Sequence, residues 1–364
     1  MHGVPDGYNG AFMTRLRFRE EEGRRPEEIA PDAVVTVLRV PPESAGMRLD
    51  RFVQSQLKRT SRTRAQFIVR RSAFDPAGRR LAANDRVVAE QRILLWREPW
   101  DEIAVPTELP VLYEDDHLFA IAKPAGVPVH PTARYHRNTV VKLLALERGQ
   151  ENFTLAHRLD RETSGVLLLA KTLQADRGIK RQLEARVTVD KRYLALTWGV
   201  PPAGELRVDL PLELDPESRL RVRMRVAKEG LGLTAATRFA VLARAEHRGR
   251  AYALVACDLE TGRQHQIRVH LAALGCPVVG DKLYGPDPEL FARGADQTLT
   301  EEDRAVLELD RHALHAQKLA FDHPVTGARL IIEAPVPDDF AAFWARVSAC
   351  ESEGSTAEIA TASR

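Results

Sequence analysis

Cysteine is scarce in this sequence. Cys257, Cys276 and Cys350 are the three in 364 residues, too few and too far apart for a disulfide framework or a paired metal-binding spacing. A small disulfide-stapled scaffold is excluded, and a reducing, cytoplasmic setting is expected. Long apolar runs are missing too: none approaches the roughly 20 residues of a membrane-spanning helix, so no membrane partner is expected. The opening stretch MHGVPDGYNGAFMTRLRFREEEGRR has no apolar centre, so no secretory signal is expected. There is no dinucleotide fingerprint. The loop AKPAGVPVHP, with Lys123, Pro124 and Gly126, lacks the glycine spacing and the Lys-Ser/Thr end of a phosphate-cradling loop and reads as a structural turn. No internal repeat or low-complexity tract is found.

What is present is charge and core. Charged residues make up 29% and hydrophobic ones 44%, enough for two domains or one large domain with an appendage. The net charge of +2 hides an asymmetry. Residues 44–98 carry 13 Lys+Arg against 5 Asp+Glu, so this stretch is at +8 and the rest of the chain near −6. Such a basic module is the footprint of a nucleic-acid contact, with a solvated basic surface as the plain alternative.

Residues 1–35 carry charge blocks, Gly and Pro without apolar periodicity and are expected to be a disordered extension; residues 350–364 are expected to be a disordered tail. Between them, residues 36–100 read as a small basic α+β domain and residues 107–347 as the main domain. In RLDRFVQSQL the apolar positions Leu49, Phe52, Val53 and Leu57 have helical spacing. TSRTRAQFIVRRS offers Ser61 as an N-cap for a second helix with Ala65, Ile68 and Val69 inward, leaving Arg62, Arg64, Arg70 and Arg71 outside as candidate RNA contacts. Two small helices followed by a little sheet resemble the RNA-binding module shared by a small-subunit ribosomal protein and tyrosyl-tRNA synthetases. The departure is FDPAGRRLAAND, which stands where that module has a compact Asn-Gly hairpin. EPWDEIAVPTELP is a Pro-punctuated linker. Beyond it, strands do not alternate regularly with helices, so a doubly wound parallel fold is not expected.

Four stretches could carry chemistry. In HRLDRETSGVLLLAKT, Asp160 stands just ahead of an apolar strand, where a carboxylate is costly unless paired or used; an ordinary turn Asp is the alternative. In DLETGRQHQIRVHLAALGCPVVGDKLYG, Thr261 and Gly262 turn the chain into a helix bearing Arg268, whose guanidinium could hold a buried carboxylate in bidentate fashion. His265 and His270 are five apart and do not share a helical face, so no metal is expected there. In VDKRYLALTWG, Lys191 and Tyr193 share one face of a strand. Tyr193 is a core aromatic or a ring that stacks on a base and moves a proton. The fourth stretch is the Lys-Pro-x-Gly turn.

Taken together and in this order, YEDDHLFAIAKPAGVPVHP, HRLDRETSGVLLLAKT, KRYLAL, TGRQHQIRVHLAALGCPVVGDKLYG and RHALHAQKLAF resemble the RNA pseudouridine synthases of the RluA type over residues 107–347. The resemblance implies an α+β catalytic domain with a mixed, largely antiparallel sheet and a central cleft. It implies an isomerase that flips a uridine out of structured RNA, detaches the uracil, rotates it and rejoins it through carbon 5. No cofactor and no metal are implied. By resemblance Asp160 is the catalytic aspartate, as nucleophile or as base toward the ribose. Arg268 pairs with it, Tyr193 stacks near the base and takes the carbon 5 proton, and Arg158 fills the gap left by the flipped uridine. Lys191 is a supporting RNA contact. Ribosomal RNA of the large subunit is the expected substrate and transfer RNA the alternative; a monomer is expected. Two rivals are a catalytically inactive RNA-binding or ribosome-assembly protein on the same fold and a hydrolase that releases uracil.

Overall fold

The computed structural model describes residues 24–30, 33–57, 60–97, 102–132, 135–149, 153–185, 188–220, 222–287 and 289–349. The chain divides into two compact units, residues 1–101 and 102–364.

The first unit contains β1 (Val34–Arg39), α1 (Leu49–Gln56), α2 (Arg62–Ser72), β2 (Ala73–Phe74) and β3 (Arg92–Arg97). Ser61 caps α2: its hydroxyl accepts the Arg64 N–H at 3.2 Å, satisfying one of the orphan donors of the first turn. Leu49, Phe52 and Val53 of α1 and Ala65 and Val69 of α2 are buried with Leu38, Ile93 and Leu95 of an antiparallel sheet ordered β1–β3–β2. The stretch that replaces the Asn-Gly hairpin is an Asp turn, in which one carboxylate oxygen of Asp75 accepts the N–H groups of Ala77 and Arg79.

Residues 1–23 and 31–32, most of the expected extension, lie outside the described residues, as do residues 350–364 with Cys350. The part of the extension that is described is held. Arg24 N–H donates to the Pro76 carbonyl, Glu28 pairs with Arg80 at 2.6 Å, and Ile29 packs on the cluster of Phe74, Leu94 and Trp96. A single apolar residue docking into a distant groove leaves no periodic signal, so composition alone misses it.

The second unit opens with the hairpin of β4 (Val111–Glu114) and β5 (Leu118–Lys123). Its acidic turn is closed by the Asp115 carboxylate, which accepts the N–H groups of His117 and Leu118 at 2.7 Å. Then come α3 (Val140–Arg148), β6 (Thr154–Leu155), β7 (Ser164–Ala170), α4 (Leu173–Ala185), β8 (Asp190–Trp198), β9 (Glu205–Asp209), β10 (Leu212–Leu214) and β11 (Met224–Val226). The unit finishes with β12 (Ala236–His247), β13 (Arg250–Leu259), α5 (Gln266–Ala273), α6 (Glu289–Asp296), α7 (Glu301–Leu307), β14 (Leu314–Asp322), β15 (Arg329–Glu333) and α8 (Asp338–Ser348). Among the described residues, ten strands make one sheet, ordered β4–β5–β7–β14–β8–β13–β12–β9, with β6 beside β7 and β15 beside β14. It is the mixed, largely antiparallel sheet expected: β7 and β14 run parallel, and its other pairs are antiparallel.

The apolar run of β7 is buried on both faces, as a central strand requires. Alternation sends Leu167 and Leu169 into the core under α8, with Phe340, Phe343 and Trp344, and Val166, Leu168 and Ala170 into the core under α4, with Ala175 and Ile179. At the start of β7, Gly165 has φ +112°, and a Cβ there would lie 2.1 Å from the Ala316 carbonyl oxygen of β14. Glycine is required here both for the backbone conformation and for the close approach of the two strands.

Candidate active site

Asp160 lies in the turn that carries the chain from β6 into β7, and its carbonyl accepts the Thr163 N–H at 3.2 Å. The turn is clamped by the Lys-Pro-x-Gly loop, which leaves the end of the neighbouring strand β5 where Lys123 pairs with Gly165. Lys123 is buried, and its ammonium donates to the carbonyls of Pro124, Val127 and Arg161 at 2.7, 2.9 and 3.1 Å. Gly126 N–H adds a second bond to the Arg161 carbonyl at 2.8 Å. Burial pushes Lys123 down to about 7 against the pull of the Asp160 charge. What reads as a plain turn in sequence is therefore a brace under the residue next to Asp160.

The charges that follow Asp160 are also tied. Glu162 accepts from Lys282 Nζ at 3.1 Å and from the His312 N–H at 3.2 Å. Thr163 Oγ1 meets His312 Nε2 at 2.8 Å, and Ser164 Oγ meets His315 Nδ1 at 3.0 Å. Burial lowers both histidines, His315 to about 4, so both are neutral hydrogen-bonding partners at pH 7. The stretch RHALHAQ thus supports the Asp160 turn from 150 residues further along the chain.

Arg268 projects from the first turn of α5 and is 5% exposed. Its guanidinium meets two carboxylates. The fork goes to Asp281, with Nε to Oδ2 at 2.6 Å and Nη2 to Oδ1 at 2.8 Å. Asp160 receives a single bond, from Nη1 to Oδ2 at 3.0 Å. Asp281 also accepts the N–H groups of Leu283 and Tyr284 and is fully buried. Burial would raise its carboxyl, but Arg268 and the two amides outweigh that and hold it below the ordinary carboxylate range. Arg268 in turn is raised further above its usual value by Asp281 and Asp160, which overcome its own burial. The expected partnership of Arg268 and Asp160 is present. The bidentate grip belongs to a second carboxylate, one that no spacing rule picks out of GDKLYG.

Around this floor opens a cleft of about 720 Å³ lined by Arg158, Asp160, Arg161, His265, Arg268 and Tyr135 among others. Arg158 is exposed at its rim. Burial and the Arg158 charge together push His130 below its usual value. Arg161 donates to the Tyr135 hydroxyl at 2.7 Å and to Glu162 at 2.9 Å. A carboxylate at the bottom, a fixed guanidinium behind it and exposed positive charge at the mouth suit a polyanionic substrate whose reacting group must enter alone.

The other expected residues sit elsewhere. Tyr193 of β8 is 9% exposed and packs in the main core; it is outside the set that lines the cleft. It is still within electrostatic reach: burial, and then the Asp160 charge, push its phenol above the usual range. Lys191 lines a separate groove of about 850 Å³ with Arg192, Asp258 and Glu260. His265 faces the cleft, whereas His270 is buried and held by Thr237 and the Leu210 carbonyl, each at 3.0 Å. Arg62, Arg64, Arg70 and Arg71 are exposed on α2 of the first unit. Arg62 shares its charge with the buried Asp50, at 3.7 Å, which Arg48 already holds through two bonds.

Residues 117–273 match the family described as RNA pseudouridylate synthase. The chain is 36% identical over 350 residues to the ribosomal large subunit pseudouridine synthase D of Nitrosomonas europaea, an alignment covering 91% of this chain and 95% of that protein. To the ribosomal large subunit pseudouridine synthase D of Xanthomonas campestris pv. campestris it is 42% identical over 242 residues, 65% of this chain and 69% of the relative. Among solved structures, human RNA Pseudouridylate Synthase Domain Containing 1 is similar with a TM-score of 0.53 at 26% identity, over 69% of this chain and 90% of the human one.

Proposed function

The chain belongs to the RNA pseudouridylate synthase family, and on that premise we propose that it isomerises uridines of large-subunit ribosomal RNA to pseudouridine, with Asp160 as the reacting carboxylate. The substrate class is supported by near full-length similarity to proteins named for the large ribosomal subunit. The observation that carries the assignment of Asp160 is its place at the floor of the cleft, joined to Arg268 by one hydrogen bond and otherwise open to what enters.

The reaction balances within the substrate. A uridine leaves the stack, which costs a few kcal/mol, and the Arg158 guanidinium fills the gap by stacking and charge. The bond between the ribose carbon and N1 breaks, and its electron pair stays on the uracil. Asp160 takes up the electron-poor ribose carbon as a nucleophile, or relieves it by removing the proton of the neighbouring carbon. The ring turns and carbon 5 joins the ribose as the aspartate leaves that carbon, or gives the neighbouring carbon its proton back; the carbon 5 proton then leaves and N1 gains one. No electrons are gained or lost, so the steps need no redox cofactor.

Tyr193 enters as a neutral phenol, because burial and Asp160 both raise it. It therefore serves as a relay, its oxygen receiving the carbon 5 proton while its own proton passes through water to N1. Arg64, Arg70 and Arg71, exposed along α2, add phosphate contacts; Arg62 adds less because Asp50 claims part of its charge. Lys191, in its own groove, supports RNA outside the cleft. A monomer is part of this reading, and a ribosomal substrate in the names of bacterial relatives supports a cytoplasmic place of work.

Pseudouridine mapping of total RNA from cells with and without the gene tests this reading, with complementation by wild type or by Asp160→Asn. The expected result is the loss of one or a few large-subunit sites, restored by wild type alone. Sites lost from transfer RNA would move the substrate. Unchanged maps, or free uracil released by the purified protein, would overturn the synthase reading.

A further inference from the structure

His265 stands beside the reacting carboxylate without a role in the steps above. It occupies the N-cap of α5 with φ 57° and ψ 15°, the left-handed region that a residue with a Cβ seldom enters. The strained backbone sets its imidazole between two groups. Nδ1 lies 2.8 Å from the Tyr284 hydroxyl, and Nε2 lies 3.8 Å from Asp160 Oδ1.

The proton positions follow from the partners. Tyr284 Oη accepts the Met224 N–H at 2.9 Å. Burial raises the phenol, so it keeps its proton, and the acceptor facing that proton is His265 Nδ1. Burial, then the Arg268 charge, lower His265 to about 4 against the opposing pull of Asp160 and Asp281, with Arg158 adding to the lowering. The ring is neutral at pH 7. With Nδ1 taken as an acceptor, its one proton is on Nε2, pointing toward Asp160.

Asp160 itself is divided. Oδ2 takes the Arg268 bond at 3.0 Å. Oδ1, 3.8 Å from Nε2, is beyond hydrogen-bond distance and keeps its lone pairs for the reaction. An N–H thus stands next to the reacting oxygen without occupying it.

The geometry points to His265 as a catalytic hydrogen-bond donor to the uracil. When Oδ1 faces the ribose, the carbonyl oxygen next to N1 arrives beside Nε2–H and receives its hydrogen bond as the breaking bond leaves an electron pair on the ring. The inference rests on the synthase reading above. A neutral imidazole suits the task for a chemical reason. It is too weak an acid to hand its proton over, so it spreads the negative charge of the uracil without quenching it, and carbon 5 must remain nucleophilic to rejoin the ribose. Tyr284 is the positioning residue that fixes the tautomer.

Two measurements on the full chain test this. Side-chain ¹⁵N spectra of the histidines at pH 7, assigned with His265→Gln, should show His265 protonated at Nε2 alone. A proton on Nδ1, or on both nitrogens, would overturn the inference. Single-turnover pseudouridine formation in a large-subunit ribosomal RNA transcript should slow about 10- to 100-fold in His265→Ala, the worth of one hydrogen bond to a charged group, with RNA affinity unchanged. His265→Gln, whose amide nitrogen can reach the place of Nε2, should recover part of the rate, and His265→Asn should not. Tyr284→Phe should mix the tautomers and slow the reaction less than His265→Ala. A wild-type rate in His265→Ala, or no advantage of Gln over Ala, would sink the donor role. If the wild-type chain leaves the transcript unchanged, the functional reading fails instead, and the tautomer decides on His265 by itself.

Discussion

Asp281 and Asp160 share one arginine and differ in almost everything else. Asp281 is fully buried, and its two oxygens accept four hydrogen bonds, two from the Arg268 fork and two from backbone amides. Asp160 is 23% exposed at its side chain and accepts one bond from Arg268. Saturation makes the first carboxylate a fixture. The lone pairs left free on the second fit the reacting role proposed for it. Arg268 transmits the rigidity of one to the other: a guanidinium locked by Asp281 cannot follow Asp160 if it moves, so the carboxylate proposed to react is held by something that does not yield.

The contrast can be broken from either side. Asp160→Asn should lower pseudouridine formation by at least about 10³-fold, as expected for the loss of a reacting group, while the melting temperature stays near that of wild type. A clear loss of stability would mean that Asp160 is as structural as its neighbour. Asp281→Asn should do both kinds of damage. Removing one of the two counter-charges of buried Arg268, the one it grips with two bonds, should cost up to about 3 kcal/mol, read by urea unfolding, and activity should fall with it because Nη1 is no longer aimed. A stable, active Asp281→Asn protein would end the division of roles.

Acid sharpens the comparison. The folded-state pKa of Asp281 lies below its ordinary 3.8, so in that range the unfolded chain binds more protons than the folded one. Its stabilisation is complete above pH 3.8 and drains away as the pH falls further. The stability gap between wild type and Asp281→Asn should therefore be flat above that pH and narrow below it; a gap that ignores acid would place the effect elsewhere. Arg268→Lys should be milder than Asp281→Asn in stability, since the charge remains, yet still slow the reaction about 10-fold or more, because an ammonium cannot fork to one carboxylate and reach another. The smallest effect belongs to the first unit. Replacing Arg70 and Arg71 with Ala should leave the rate of bound RNA unchanged and reduce the salt slope of binding by roughly one unit for each lost phosphate contact.

Much of this was legible in the residues. Ser61 as the cap of α2, the helix bearing Arg268 and the pairing of Arg268 with Asp160 all follow from local pattern or from the resemblance. What local pattern cannot carry is partnership across the chain. Asp281 is 13 residues from Arg268, and His312 is 149 from Thr163, with no periodicity to link them. Tyr193 shows the same limit. Strand alternation puts it on a face with Lys191, but the packing around the sheet buries the tyrosine in the main core and leaves the lysine in another groove. The demand for glycine at position 165 is hidden in the same way, because it comes from Ala316, on a strand met 151 residues later.

That parallel contact of Gly165 with Ala316 has a consequence in time. A ribosome making this protein completes Asp160, Arg268 and Asp281 well before it reaches residue 316. Until β14 has emerged and slid between β7 and β8, the central sheet is split, and the turn bearing Asp160 has neither the histidines nor the strand that hold it. Contacts so distant in sequence are slow to form. The nascent chain therefore carries Asp160 and Arg268 long before it carries the cleft they are proposed to serve, and the cleft waits for nearly the last strand to be synthesised.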